Sequence, residues 1–167
     1  MKALYYQPSC GIAGDMHLAA LVNLGVPQDY LVDTLRKLPI QDEFELTFES
    51  ASKMGISGLQ ASVQITDQHD HRHHSTIVRM ITEAALPEEV TARALAIFAL
   101  IADAEGKIHD VPPEQVHFHE VGAMDSIIDI VGAAAAIEYI QPDIVICDSV
   151  EVGGGFVNCA HGRLPVP

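Results

Sequence analysis

Five residues with chemically useful side chains lie close together in the C-terminal third of the chain: His117, His119, Glu120, Asp125 and Asp129. In an extended segment successive side chains alternate, so His117 and His119 are predicted to share a face. In a following helix Asp125 and Asp129 also share a face. Imidazole and carboxylate groups that converge in this way can form a metal or phosphate site. Alternatively, Asp125 caps the helix and Asp129 lies in its first turn, where the helix dipole favours acidic residues.

A second cluster is rich in histidine and lies in the middle of the chain. Imidazole groups at this density can bind a borderline metal ion such as Ni²⁺ or Zn²⁺. The metal-ligand candidates here are His69, His71, His73 and His74. Because residues 67–74 lack an apolar anchor, we expect an exposed loop that is poorly ordered without metal. A solvated loop that binds nothing is the alternative.

A glycine turn near the N-terminus is the third candidate, and it contains Gly11, Gly14 and Asp15. A strand, a Gly-x-x-Gly turn and a helix together expose backbone amides that can bind an anion. Asp15 would repel a phosphate there but could hold a cation, so these three residues are candidates for cofactor binding. The alternative is that Asp15 caps the helix that follows.

The composition limits the classes of function. Hydrophobic residues make up 49% and charged residues 19%, as in a folded globular protein. The formal net charge of −14 argues against general binding of nucleic acid or of anionic membranes. There is no apolar run of membrane-spanning length and no signal-peptide core, so we expect a cytoplasmic protein.

The three cysteines, Cys10, Cys147 and Cys159, are too widely spaced to suggest a disulfide framework. Cys159 and His161 would share a face of an extended chain, but such neighbours are common by chance. Cys147 ends a continuous apolar run, so we predict it in the core.

Hydrophobic periodicity predicts an α/β fold: a single domain with a small mixed β-sheet packed by several helices. Alternating apolar residues at 44–48 and 59–65 predict an antiparallel strand pair. Ser75 is predicted to cap one helix, and Pro87 to open a longer one with Ile108 facing inward. Residues 125–140 are predicted to form a helix and residues 143–147 a short buried strand.

Several segments together resemble the N-terminal domain of the LarC family, the nickel-insertion proteins of nickel-pincer cofactor synthesis. The matching segments are Ser-Cys-Gly-Ile-Ala-Gly-Asp-Met at 9–16, Lys-Met-Gly-Ile-Ser-Gly at 53–58, His-Arg-His at 71–73, the run from Val116 through His-Phe-His-Glu to Gly132, and His-Gly-Arg-Leu-Pro-Val-Pro at 161–167. They occur in the same order and span nearly the whole chain.

The resemblance implies a function. The family inserts Ni²⁺ into pyridinium-3,5-bisthiocarboxylic acid mononucleotide and consumes CTP, a lyase-type cyclometallation. The resemblance further implies that CTP, with Mg²⁺ or Mn²⁺, binds a C-terminal domain absent from these 167 residues. The partners that it implies are the mononucleotide, that C-terminal domain or subunit, and a client enzyme such as lactate racemase.

The chain is therefore predicted to be the N-terminal domain, residues 1–167, of such an enzyme, and this domain is expected to be inactive by itself. His117, His119, Glu120, Asp125 and Asp129 are the predicted catalytic residues, with the imidazoles holding Ni²⁺ and a carboxylate accepting the ring proton. A homo-oligomer is expected. Two alternatives stay open: a non-catalytic nickel-binding metallochaperone module, and an interaction domain whose histidines line an oligomer interface.

Overall fold

The computed structural model describes residues 1–66, 72–118, 124–159 and 162–167, and it confirms the mixed α/β fold class. The elements in chain order are β1 (Ala3–Tyr6), α1 (Gly14–Asn23), α2 (Gln28–Leu35), β2 (Phe44–Lys53), β3 (Ile56–Ile65), α3 (His74–Glu83), α4 (Glu88–His109), a 3₁₀ helix (Pro113–Gln115), α5 (Met124–Ile140), β4 (Ile144–Cys147), β5 (Gly155–Cys159) and β6 (Gly162–Val166). None of the described helices combines the length and the apolar character needed to cross a bilayer.

The described residues divide into two compact units, one of residues 1–13 and 140–167 and one of residues 14–139. In the first unit β1 and β4 pair in parallel, with Ala3 opposite Ile144, and β5 pairs antiparallel with β6. The second unit contains the antiparallel pair β2–β3. The described strands therefore form three two-stranded sheets. One sheet is parallel and two are antiparallel, so both kinds of pairing expected of a mixed sheet occur, but in separate sheets.

The β2–β3 hairpin follows the predicted alternation but is longer than predicted. Its two-residue turn consists of Met54 and Gly55, both with positive φ, a backbone geometry that matches the twist of a hairpin. Gly58, predicted to lie between the strands, instead pairs with Ala51 inside the ladder. The hairpin buries Phe44 and Leu46 on one face, and β3 packs against α1.

Helix α5 forms the centre of the second unit. Ile127, Ile128 and Val131 are fully buried, and so is most of the alanine run at 133–136. A Cβ atom on Gly132 would lie 2.9 Å from Leu18 Cδ2, so α1 packs very closely on α5. The small residues of α5 permit this approach, since helix separation depends on the side chains at the contact.

Two details of the predicted helices are wrong. Helix α3 begins at His74, one residue before the predicted cap Ser75, because the His73 carbonyl already accepts from the Ile77 amide at 3.2 Å. Ile108 is 80% exposed, because the buried stripe of α4 runs at four-residue spacing to Ala102 and Gly106 and leaves Ile108 outside it.

The prediction that residues 143–147 form a buried strand is wrong in one respect. The strand β4 forms, but all four of its residues, including Cys147, are exposed. An apolar run predicts burial because parallel strands usually have both faces covered. In the part of the chain that the structure describes, β1 is the only strand that pairs with β4.

The contrast between Ile128 and Ile108 gives a direct test of the core. Replacing the fully buried Ile128 by alanine should lower the free energy of unfolding by about 2–5 kcal/mol, because it removes methylene contacts and leaves a cavity. Ile108→Ala on α4 is the matched control and should change it by less than about 0.5 kcal/mol. Urea unfolding measures both, and equal losses would contradict the packing described for α4 and α5.

Candidate functional site

Three aspartates from two helices of the second unit act on one another. Asp125 and Asp129 are one turn apart on α5, as their spacing predicts, and Asp15 lies in the first turn of α1. The pKa of Asp129 is raised to about 6, first by burial and then by the negative charges of Asp125 and Asp15. The structure therefore brings the glycine turn and the α5 aspartates, which lie far apart in sequence, into one acidic cluster.

Asp129 is the partly buried member of this cluster, whereas Asp15 and Asp125 are exposed. Its Oδ1 atom is buried and has no hydrogen-bond partner in the described structure. One oxygen of each of the other two accepts a local hydrogen bond: Asp15 Oδ1 from the Met16 amide and Asp125 Oδ1 from the Ser126 amide, both at 2.8 Å. Asp129 is thus the member of the cluster whose uncommitted oxygen is buried.

Gly14 explains how the Asp129 carboxyl group reaches this position. A Cβ atom at Gly14 would overlap the Asp129 side chain, so only glycine leaves room for it. Because α1 begins at Gly14, the carboxyl group lies at the positive end of a helix dipole, which favours the charged form. The raised pKa means that burial and the neighbouring carboxylates outweigh this effect.

A second group of side chains joins the end of the histidine tract to the His-Phe-His-Glu motif. His73 and His117 form an antiparallel backbone bridge, and their rings lie 4.6 Å apart between centroids at an angle of 58°. His73 is exposed and His117 is half-buried. Two imidazoles that are distant in sequence are therefore neighbours in the fold.

Aromatic packing anchors this pair to the core. Phe118 is fully buried against Phe98 and meets the His74 ring edge-on at 5.8 Å. His74 Nδ1 also lies 3.2 Å from Pro113 O. Of the alternation predicted for residues 116–120, the described part is seen: Val116 and Phe118 are buried, whereas His117 is half-buried.

An ion pair between Arg72 and Glu43 also holds the histidine tract in place. The sequence did not predict it. The Nη2 atom of Arg72 donates to Glu43 Oε2 at 3.1 Å, and only 12% of the Arg72 side chain is exposed. Such a pair is hard to predict because its members lie 29 residues apart. His17 on α1 was also missed; burial lowers its pKa, and no sequence pattern marks it.

The predicted site residues fall into three sets. Asp15, Asp125 and Asp129 lie together with Gly14, while Gly11 belongs to the first unit. His73 and His117 lie together, and His74 is held in α3, so the predicted loop ends earlier than expected. The predictions for His69, His71, His119 and Glu120 lie outside the described residues, as does His161, the predicted neighbour of Cys159.

The chemical character of the acidic cluster is dominated by the carboxyl group of Asp129. No group of three or more His, Cys, Asp or Glu side chains among the described residues has the arrangement of a metal site. A carboxyl group with a pKa of about 6 is largely ionised at neutral pH yet basic enough to take up a proton. Asp129 is therefore a carboxyl group whose pKa is close to that needed for accepting a proton.

The close contact at Gly14 gives one stability test. Gly14→Ala should lower the free energy of unfolding by about 1–3 kcal/mol, because the added methyl group must displace the Asp129 carboxyl group. Gly58→Ala in β3 is the matched control, because a Cβ atom there meets nothing within 4 Å. If Gly14→Ala were as stable as the control in urea unfolding, the contact would be refuted.

The raised pKa of Asp129 gives a second test. Folding favours its protonated form, so this stabilisation is complete below about pH 4 and is lost as the pH rises through about 6. Asp129→Asn should therefore be more stable than the parent above pH 6, by about 1 kcal/mol after allowance for partial exposure, and the difference should vanish near pH 4. Asp103→Asn on the exposed surface of α4 is the control. An Asp129→Asn effect that is the same at pH 4 and pH 7.5 would contradict the shift.

Comparison with known proteins identifies the chain's relatives. A family model described as nickel insertion protein matches residues 4–167. A protein of Wolinella succinogenes is 51% identical over 169 residues, which cover 100% of this chain and 43% of that relative. Two relatives carry the name pyridinium-3,5-bisthiocarboxylic acid mononucleotide nickel insertion protein. The one from Clostridium kluyveri is 46% identical, and the one from Clostridium acetobutylicum is 42% identical.

These two matches cover 100% of this chain but only 45% and 48% of the Clostridium proteins. The chain thus spans less than half the length of the curated relatives that it matches. No solved structure matches it significantly. Since the family model covers residues 4–167 and the resemblance read from the motifs is confirmed, the chain belongs to the nickel insertion protein family.

Proposed function

We propose that this chain is the N-terminal part of an enzyme that inserts Ni²⁺ into pyridinium-3,5-bisthiocarboxylic acid mononucleotide. Family membership supports nickel insertion, and the names of the two Clostridium relatives specify the mononucleotide for those proteins. The observation that carries the assignment of residues is the carboxyl group of Asp129, with its uncommitted Oδ1 and its pKa of about 6. Nickel is the metal substrate in this proposal.

The chemical step requires a proton acceptor. As the nickel–carbon bond forms, a ring C–H bond breaks and its electron pair becomes the metal–carbon bond. The proton leaves, and Asp129 accepts it, while the two thiocarboxylate sulfurs also bind the nickel. Asp15 and Asp125 act by raising the basicity of Asp129, and their charge also attracts the incoming cation.

The delivery of nickel is assigned to histidine side chains. His73 and His117 are adjacent, and imidazole is a preferred ligand of Ni²⁺, so we propose that this pair holds the ion before transfer. His69, His71, His74 and His119 stay in the proposal as further candidate metal ligands, and His119 and Glu120 as candidate catalytic residues. CTP and its Mg²⁺ or Mn²⁺ are assigned to the polypeptide that makes up the rest of the relatives' length, since the strongly negative chain carries no phosphate-loop motif.

A second candidate function is a nickel-binding module that passes the ion on without doing chemistry. The adjacency of His73 and His117 favours it, because that pair by itself explains metal capture but needs no proton acceptor. The two candidates differ in what they require of Asp129. Only the enzyme needs that carboxylate to take up a proton.

The test uses a chimera in which this chain replaces the matching N-terminal segment of the Wolinella succinogenes relative. Asp129→Asn should lower kcat for nickel insertion by about 10²–10⁴-fold, the usual contribution of a general base, whereas Asp103→Asn should not. In the parent chimera kcat should rise with pH through about 6, as Asp129 loses its proton. Replacing both His73 and His117 by alanine should instead raise the KM for Ni²⁺ by at least about tenfold, or 1.4 kcal/mol, with His109→Ala as the control.

Two outcomes decide between the candidates. Full activity in Asp129→Asn with a raised nickel KM in the double histidine variant would favour the module and reject the base. Activity and nickel KM that are unchanged in both variants would reject the proposed assignment of residues altogether.

A further inference from the structure

The parallel strand β4 leaves an unusual amount of apolar surface open to solvent. Its consecutive residues Ile144, Val145 and Ile146 are 43%, 50% and 43% exposed. Since neighbouring side chains in a strand point to opposite faces, both faces of β4 are open. Isolated exposed apolar residues are ordinary, but a fully apolar strand that is open on both faces is not.

The pairing of β4 is also incomplete for a strand of this type. Parallel strands occur almost only in sheets with both faces covered, and their sequences are continuous apolar runs like that of β4. In the described structure β4 pairs with β1 along one edge, and no strand pairs along the other. That second edge presents unpaired backbone N–H and C=O groups, which readily accept an added strand.

Other parts of the first unit also expose apolar side chains. Further large apolar side chains of this unit are 44–64% exposed, and they are Val150, Val152, Phe156, Val157 and Leu164. Phe156 is covered on one face by the Arg163 guanidinium, 4.3 Å from the ring centroid. The first unit thus presents an open strand edge together with apolar side chains from β4, β5 and β6.

We propose that this surface, defined by β4, β5 and β6, is the docking site of the polypeptide that forms the remaining half of the family's longer members. That polypeptide would add a strand to the free edge of β4 and cover its apolar faces. The relatives supply a suitable occupant, because their chains extend well beyond the part matched here. A second copy of this chain fits less well, since each copy carries a formal charge of −14.

Cys147 provides a probe for this proposal, because it ends β4 and is exposed. With Cys10 and Cys159 replaced by serine, the thiol of Cys147 should react readily with a maleimide in the 167-residue chain. In the chimera with the Wolinella succinogenes relative the reaction should be at least about tenfold slower, because labelling then requires local opening. Equal rates in the two proteins would overturn the proposal. So would slow labelling of the chain alone, which would mean that the chain itself or a second copy covers the surface.

Two substitutions, one on β4 and one on α4, test whether the docked polypeptide protects Cys147 by covering β4. Val145→Lys should be tolerated in the 167-residue chain, where the side chain is half exposed, but should restore fast labelling of Cys147 in the chimera. Ile108→Lys on α4 is the control, with 80% exposure, and should leave the protection intact. Protection that survives Val145→Lys would place the docked polypeptide elsewhere and overturn the proposal. Because nickel insertion is not part of this readout, its outcome is independent of the proposed function.

Discussion

The electrostatic balance at Asp129 is the constraint on which the candidate site depends. Its carboxyl group lies against the start of α1, where glycine alone leaves room for it. Burial there, and then the charges of Asp125 and Asp15, raise its pKa to about 6. This arrangement requires α1 and α5 to pack closely, which Gly132 and the alanine run of α5 allow. Small residues in the core thus keep the three carboxyl groups close together, because larger ones would separate the helices that carry them.

The histidine pair depends on a different part of the same unit. His73 lies near the end of the histidine tract, and His117 begins the His-Phe-His-Glu motif. The burial of Phe118 and the start of α3 fix the bridge between them. An anchored segment on each side keeps the imidazoles close before any metal binds. This lowers the conformational entropy lost on binding, compared with a free loop.

Local features of the predicted site could be derived from the sequence, whereas the tertiary contacts between its residues could not. Helical spacing correctly predicts that Asp125 and Asp129 share one face of α5, and strand alternation predicts that His117 and Phe118 lie on opposite faces. Both predictions depend only on neighbouring residues. The approach of Asp15 to Asp129 and of His73 to His117 depends on tertiary packing, as does the ion pair of Arg72 with Glu43. The predicted burial of β4 was wrong because an apolar run shows what a strand would bury, not whether a covering element is present.

The most direct test of the account is the titration of Asp129 by NMR, following its carboxyl ¹³C resonance from pH 3 to pH 9. The account predicts a midpoint of about 6, and the midpoint should fall when Asp125 and Asp15 are replaced by asparagine, because their charges contribute to the shift. A midpoint near the ordinary aspartate value of 3.8, unaffected by those replacements, would contradict the claim that Asp129 is a carboxylate adapted for proton transfer.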